Sequence, residues 1–122
     1  DPRGYFASDK RFPTANIINL WPQEAFHHCP LDENTALIAL THDPKIDDPA
    51  IQEGLKQKCF YIGALGSKKT HENRCKRLAE NGFNESQIQK IFGPIGIKFG
   101  GRSAPEIALS IIFQLMSEIY KQ

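Results

Sequence analysis

The chain has 122 residues, 15 basic against 14 acidic for a net charge of +1, with 40% apolar and 24% charged. That is about one domain, able to hide roughly two-thirds of its unfolded surface, and the composition excludes an intrinsically disordered chain. The near-zero charge argues against a dedicated nucleic-acid binder. No apolar run approaches the ~20 residues of a membrane span, the longest, Ile107 to Met116, being interrupted by Ser110 and Gln114.

In chain order, Ile17-Ile18-Asn19-Leu20 is a short apolar run and predicts a first strand, with a short helix from Trp21-Pro22 to His28 behind it. Ala36-Leu37-Ile38-Ala39-Leu40 follows the polar turn Asp32-Glu33-Asn34 and predicts a second strand. Asp48-Pro49 sets a cap residue before a first-turn proline and predicts a helix carrying Ile51 and Leu55. Cys59-Phe60-Tyr61-Ile62, ending at Gly63, is a third strand. Ser67 caps a helix running to Asn81, with Gly82 as its stop. Asn84 and Gln87 make a capping box for a short helix bearing Ile88 and Ile91. Ile95-Gly96-Ile97-Lys98-Phe99 is a weaker fourth strand, its glycine counting against it. Ser103 and Glu106 open the last helix, whose Ala108, Ile111, Ile112, Leu115, Met116 and Ile119 form one apolar face. Continuous apolar strands alternating with helices imply a parallel α/β sheet with right-handed crossovers.

The three cysteines, Cys29, Cys59 and Cys75, include no C-x-x-C pair and read as reduced thiols of a cytoplasmic protein. Cys59 is expected in the core and Cys75 half-buried on its helix. His27-His28-Cys29 suggests a metal cluster, but adjacent residues do not converge on one ion and no further ligand follows at a suitable spacing, so no metal is expected.

Open parallel sheets bind ligands beyond the carboxyl ends of their strands. At Gly63-Ala64-Leu65-Gly66-Ser67 a strand, a glycine loop and a helix start follow one another directly. Glycines let backbone approach a ligand, and a helix start offers free N–H groups to an anion. Lys68 and Lys69 in the first turn oppose the helix dipole by a few tenths of a kcal/mol each, a cost that a bound anion would offset. The plain alternative is an ordinary βα turn with solvated lysines, and the charge run from Lys68 to Arg77 reads as a solvated helix face. Thr41-His42-Asp43-Pro44 is the second candidate, with His42 able to donate or accept near neutral pH; its plain alternative is a turn capped by Thr41 or Asp43.

Taken together, Asp1-Pro2-Arg3, Phe6-Ala7, Arg11-Phe12-Pro13, Trp21-Pro22, Thr41-His42-Asp43-Pro44-Lys45, Tyr61-Ile62-Gly63-Ala64-Leu65-Gly66-Ser67, Thr70-His71, Gly93-Pro94-Ile95-Gly96 and Pro105-Glu106-Ile107-Ala108 form a specific set. The chain resembles, over nearly its whole length, the C-terminal Rossmann-like domain of the XdhC/CoxI family, the xanthine dehydrogenase accessory factors. It departs at Lys98, Phe99, Gly101 and Ser103. The resemblance implies a single Rossmann-like domain over residues 1–122, the C-terminal part of a longer protein. In it Asp1 matches the acidic residue that ends a Rossmann second strand. The first β-α-β unit would then be lacking, leaving a gap two strands wide between the Ile17 and Ala36 strands.

The resemblance also implies a function: a chaperone that binds the molybdenum cofactor, protects it during sulfuration and inserts it into an apo-xanthine dehydrogenase or related molybdenum hydroxylase. A sulfur-donating desulfurase and a homodimer are further expected partners. Asp1, Arg3, Thr41, His42, Asp43, the Gly63–Ser67 loop and Arg102 are the expected cofactor-binding residues, with Arg102 equally suited to an internal ion pair. The alternative is an NAD(P)-dependent oxidoreductase on the same fold, taking a nucleotide; the blander one is an interaction domain with no ligand at its strand ends.

Overall fold

The computed structural model describes residues 1–2, 4 and 7–121. Three strands, β1 (Ala36–Ala39), β2 (Tyr61–Ala64) and β3 (Ile91–Phe92), form one parallel sheet in the order β1-β2-β3. Ala36 stands opposite Tyr61 and Ile62 opposite Ile91. Around them run α1 (Pro22–His28), α2 (Pro44–Lys56), α3 (Lys68–Glu80), α4 (Glu85–Ile88) and α5 (Ala104–Tyr120). The result is the expected Rossmann-like α/β arrangement.

Strand alternation assigns the two faces. Leu37, Ala39, Ile62, Ala64 and Ile91 pack with Ile51 and Leu55 of α2 and Leu78 of α3. Ala36, Ile38, Tyr61 and Phe92 pack with Ile107, Ile111 and Leu115 of α5. Helix caps fix the lengths. Asn84 and Ser103 each form the expected capping box, the Ser67 side chain accepts from the Thr70 N–H at 3.1 Å, and Gly82 at φ +91 ends the α3 turn. Gln114 of α5 anchors that helix: its Oε1 accepts from the Tyr61 hydroxyl at 2.6 Å and the Gly96 N–H at 3.0 Å. Burial, with Glu118 adding to it, pushes the Tyr61 hydroxyl up to about 12, so it stays a donor.

Four expectations are corrected. Ile17 to Leu20 is irregular and not a strand; Asn19 interrupts its pattern, and the Ile18 carbonyl accepts from the Asp1 backbone nitrogen at 3.2 Å. No gap between two strands is therefore seen among the described residues, where β1 is the outer strand. The last strand is Ile91–Phe92 and not Ile95 to Phe99, because Pro94 has no N–H to give a ladder and Gly96 sits at φ +91. Helix α2 begins at Pro44, with the Asp43 side chain accepting from the Lys45 N–H at 3.0 Å, so Pro49 lies inside the helix. On α5 the buried stripe is narrower than expected: Ser110 and Ile111 are buried, whereas Ile112, Met116 and Ile119 are exposed along with Leu109 and Phe113.

Candidate functional site at the strand ends

The connections after β1, β2 and β3 lie side by side. The Leu65 N–H donates to the Ala39 carbonyl at 2.9 Å and the Ile95 N–H to the Ala64 carbonyl at 3.0 Å, so the sheet's pairing runs on into the loops.

After β1, two members of the Thr41-His42-Asp43 trio are committed to structure. The Thr41 hydroxyl donates to Asp47 Oδ1 at 2.7 Å and accepts from the Asp43 N–H at 3.1 Å, while the Asp43 carboxylate caps α2. The capping alternative thus describes these two. His42 is exposed, with its backbone in the left-handed region at φ 66, a conformation uncommon for a residue with a Cβ. Asp1 takes the Ala7 N–H on Oδ2 at 3.1 Å. Asp1 and Thr41 share a cleft of about 560 Å³ with Ile38, Leu40 and Phe12. Thr41 and Asp43 line a smaller one with Trp21 and Ile46. Arg3 lies outside the described residues.

After β2, Gly63 and Ala64 belong to the buried strand itself. A Cβ on Gly63 would stand 2.5 Å from Ile95 Cδ1, so this glycine serves packing between sheet and loop. Gly66 is different: it adopts φ +142, with the Thr70 methyl 3.0 Å from where a Cβ would be. The backbone N–H groups of Gly66, Ser67, Lys68 and Lys69 have no acceptor among the described residues. They form the open start of a 13-residue helix, the arrangement that attracts anions. Leu65 and Gly66 share a cleft of about 290 Å³ with Lys98, Phe99, Gly101 and Arg102. Arg102 is exposed there.

The expected residues therefore divide into two neighbouring groups, Asp1 with Thr41 and Asp43 on the β1 side, and Leu65 and Gly66 with Arg102 on the α5 side. Three polar residues beneath the loops escaped the sequence reading. Asp47 is 2% exposed and Arg74 3% exposed, so the Lys68 to Arg77 run is not uniformly a solvated face. His71 lies on the same face of α3, its Nε2 3.4 Å from Cys75 Sγ. Burial, and then the Arg74 charge, hold its pKa below the usual histidine value, with Glu72 acting weakly the other way. The signal was present in the spacing: His71, Arg74 and Leu78 recur at i, i+3, i+7, which sets them on one helix face with a core leucine.

Among the described residues no group of three or more histidine, cysteine, aspartate or glutamate side chains could hold a metal ion, and no helix is long and apolar enough to cross a membrane.

The family described as the XdhC Rossmann domain matches residues 1–115. The molybdenum cofactor insertion chaperone PaoD of Escherichia coli K12 is 36% identical over 103 residues, 84% of this chain and 32% of PaoD. The uncharacterized protein YqeB of the same organism is 26% identical over 84 residues, 69% of this chain and 15% of its own length. A crystal structure described as a xanthine dehydrogenase from Bacillus halodurans superposes with a TM-score of 0.76 at 27% identity, covering 94% of this chain and 32% of that one. The chain thus spans a third or less of the length of each of these relatives.

Proposed function

Because the chain belongs to the XdhC Rossmann domain family, we propose that it binds the molybdenum cofactor, a phosphorylated pterin dithiolene, and passes it to a xanthine dehydrogenase-type molybdenum hydroxylase without redox turnover of its own. The observation that carries this reading is the 36% identity, over most of the chain, to a molybdenum cofactor insertion chaperone. The residues at the strand ends fit such a cargo. Four free backbone N–H groups at Gly66 to Lys69 suit the terminal phosphate. Arg102 and Lys98, in the adjoining cleft, supply positive charge beside it. Exposed His42 and the carboxylate of Asp1 offer a donor and acceptors to a pterin ring; Thr41 and Asp43 hold the loop that presents His42, and Arg3 follows Asp1 in the chain. These residues bind and orient, and none is asked to break a bond.

The finer partners belong to the same proposal: a sulfur-donating desulfurase that acts on the held cofactor, and a second copy of the chain. The exposed α5 residues Leu109, Ile112, Phe113 and Met116 support association through that face. The free thiols of Cys29, Cys59 and Cys75 support a reducing, cytoplasmic setting. The test is to mix the protein with released cofactor, pass it over a desalting column, and add an apo-hydroxylase. The expected result is co-elution of cofactor followed by recovery of hydroxylase activity. Loss of all cofactor on the column, together with steady nicotinamide oxidation by the protein alone, would favour the dehydrogenase instead.

A further inference from the structure

Arg74 is the most deeply buried cation of the described residues, and its surroundings do not neutralise it. Its Nη2 donates a 3.4 Å hydrogen bond to the Leu65 carbonyl, while Nε and Nη1 are buried without any acceptor. No carboxylate among the described residues is paired with it. A guanidinium keeps its charge at any ordinary pH, and burying one without a partner is costly.

The placement of this charge is informative. Helical side chains lean toward their own N-terminus, so Arg74, in the second turn of α3, carries its charge back to the helix start and the Leu65 carbonyl. In a trans peptide the C=O and the next N–H point to opposite sides. Holding the Leu65 carbonyl inward therefore turns the Gly66 N–H outward, beside the free N–H groups of Ser67, Lys68 and Lys69. Gly66 at φ +142 is the residue that allows the chain to make this turn. His71, on the same face, has its pKa lowered by burial and then by Arg74 itself, so positive charge there is disfavoured.

We propose that Arg74 is the positioning residue of a phosphate-monoester site, orienting the Leu65–Gly66 peptide and supplying buried positive charge that a dianion bound at Gly66 to Lys69 neutralises. This rests on the reading of the loop as the phosphate end of the cofactor site. The shared chemistry is a terminal phosphate, which a pterin cofactor or a nucleotide could carry. The structural alternative is an arginine that only supports the fold through the Leu65 carbonyl, and the ligand-free melting temperature separates the two.

The experiment uses the 122-residue chain and its R74M and R74K variants. Melting temperature is measured without ligand, and affinity by calorimetry for orthophosphate, AMP and 6-hydroxymethylpterin phosphate, with the Gly66 amide followed by NMR. The expected result is an R74M protein whose ligand-free melting temperature is not lowered, whose phosphate affinity is roughly tenfold weaker, and whose Gly66 amide no longer shifts with phosphate. R74K, which keeps the charge, should bind within about threefold of the parent. Tighter binding of the pterin phosphate than of AMP assigns the ligand to the pterin class, and the reverse to nucleotides. R74M binding phosphate as well as the parent overturns the proposal, as does an R74M that unfolds or melts several degrees lower. A parent chain that binds none of the three ligands overturns instead the reading of the loop on which the proposal rests.

Discussion

Gly66→Val tests the loop most sharply, because it changes one atom group at the point where backbone and ligand would meet. Gly66 adopts φ +142, a region essentially reserved for glycine, and forcing another residue there costs about 1–3 kcal/mol. The new Cβ would stand 3.0 Å from Thr70 Cγ2 and 3.2 Å from Thr70 Cβ. Thr70 can retreat only by disturbing its contacts with Ser67, a 2.9 Å hydroxyl pair and the 3.1 Å capping bond; losing an N-cap costs about 1 kcal/mol. The total is about 2–4 kcal/mol, a large share of the ~5–15 kcal/mol that holds a domain together. Urea unfolding followed by circular dichroism should show a lower midpoint with an unchanged slope. Calorimetry at a temperature where the variant is folded should show orthophosphate affinity reduced at least tenfold. A Gly66→Val protein as stable as the parent, and binding phosphate equally well, would refute the reasoning and leave the loop a connector.

Two further outcomes are expected. Gln114→Ala strands the Tyr61 hydroxyl, the Gly96 N–H and the Gly96 carbonyl, now bonded at 2.6, 3.0 and 3.2 Å; at about 1 kcal/mol for each lost partner, denaturant unfolding should show a loss of roughly 2–4 kcal/mol, and a loss below 1 kcal/mol would mean that α5 is held by apolar contacts alone. His71 has its folded-state pKa lowered below 6.5, first by burial and then by Arg74, so below pH 6.5 the unfolded chain binds the extra proton and stability falls as pH drops; it is fully present above that value. His71→Asn should flatten the difference in unfolding free energy between pH 7.5 and pH 5.5, and an unchanged difference would show that His71 does not titrate on unfolding.

What could be read from the sequence was what local chemistry decides. The caps at Ser67, Asn84 and Ser103 and the stop at Gly82 depend on a few neighbouring residues, and each formed as spaced. The Ala36 and Tyr61 runs carry enough adjacent apolar residues to declare a doubly covered strand. Ile17 to Leu20 does not, and its fate was set by long-range contacts. Of the two Asp-Pro pairs that follow β1, Asp43-Pro44 started the helix and Pro49 was carried inside it, a choice that depends on where β1 ends. At the candidate site the loop from Leu65 to Ser67 was legible, because glycine followed by a cap is a local signal. Asp47 was not, because a charged residue is expected at the surface and only the tertiary packing reveals that it lies beneath the loops; for Arg74 the single signal was its spacing with His71 and the core Leu78, inside a run whose charge points to a solvated face.

The most direct measurement of the central claim is an NMR titration of the isotope-labelled chain with released molybdenum cofactor. The expected result is saturable shifts of the Gly66 to Lys69 amides together with that of His42, placing the cofactor across the strand-end loops. Shifts confined to residues away from those loops, or no shift at cofactor concentrations that load an apo-hydroxylase, would contradict it.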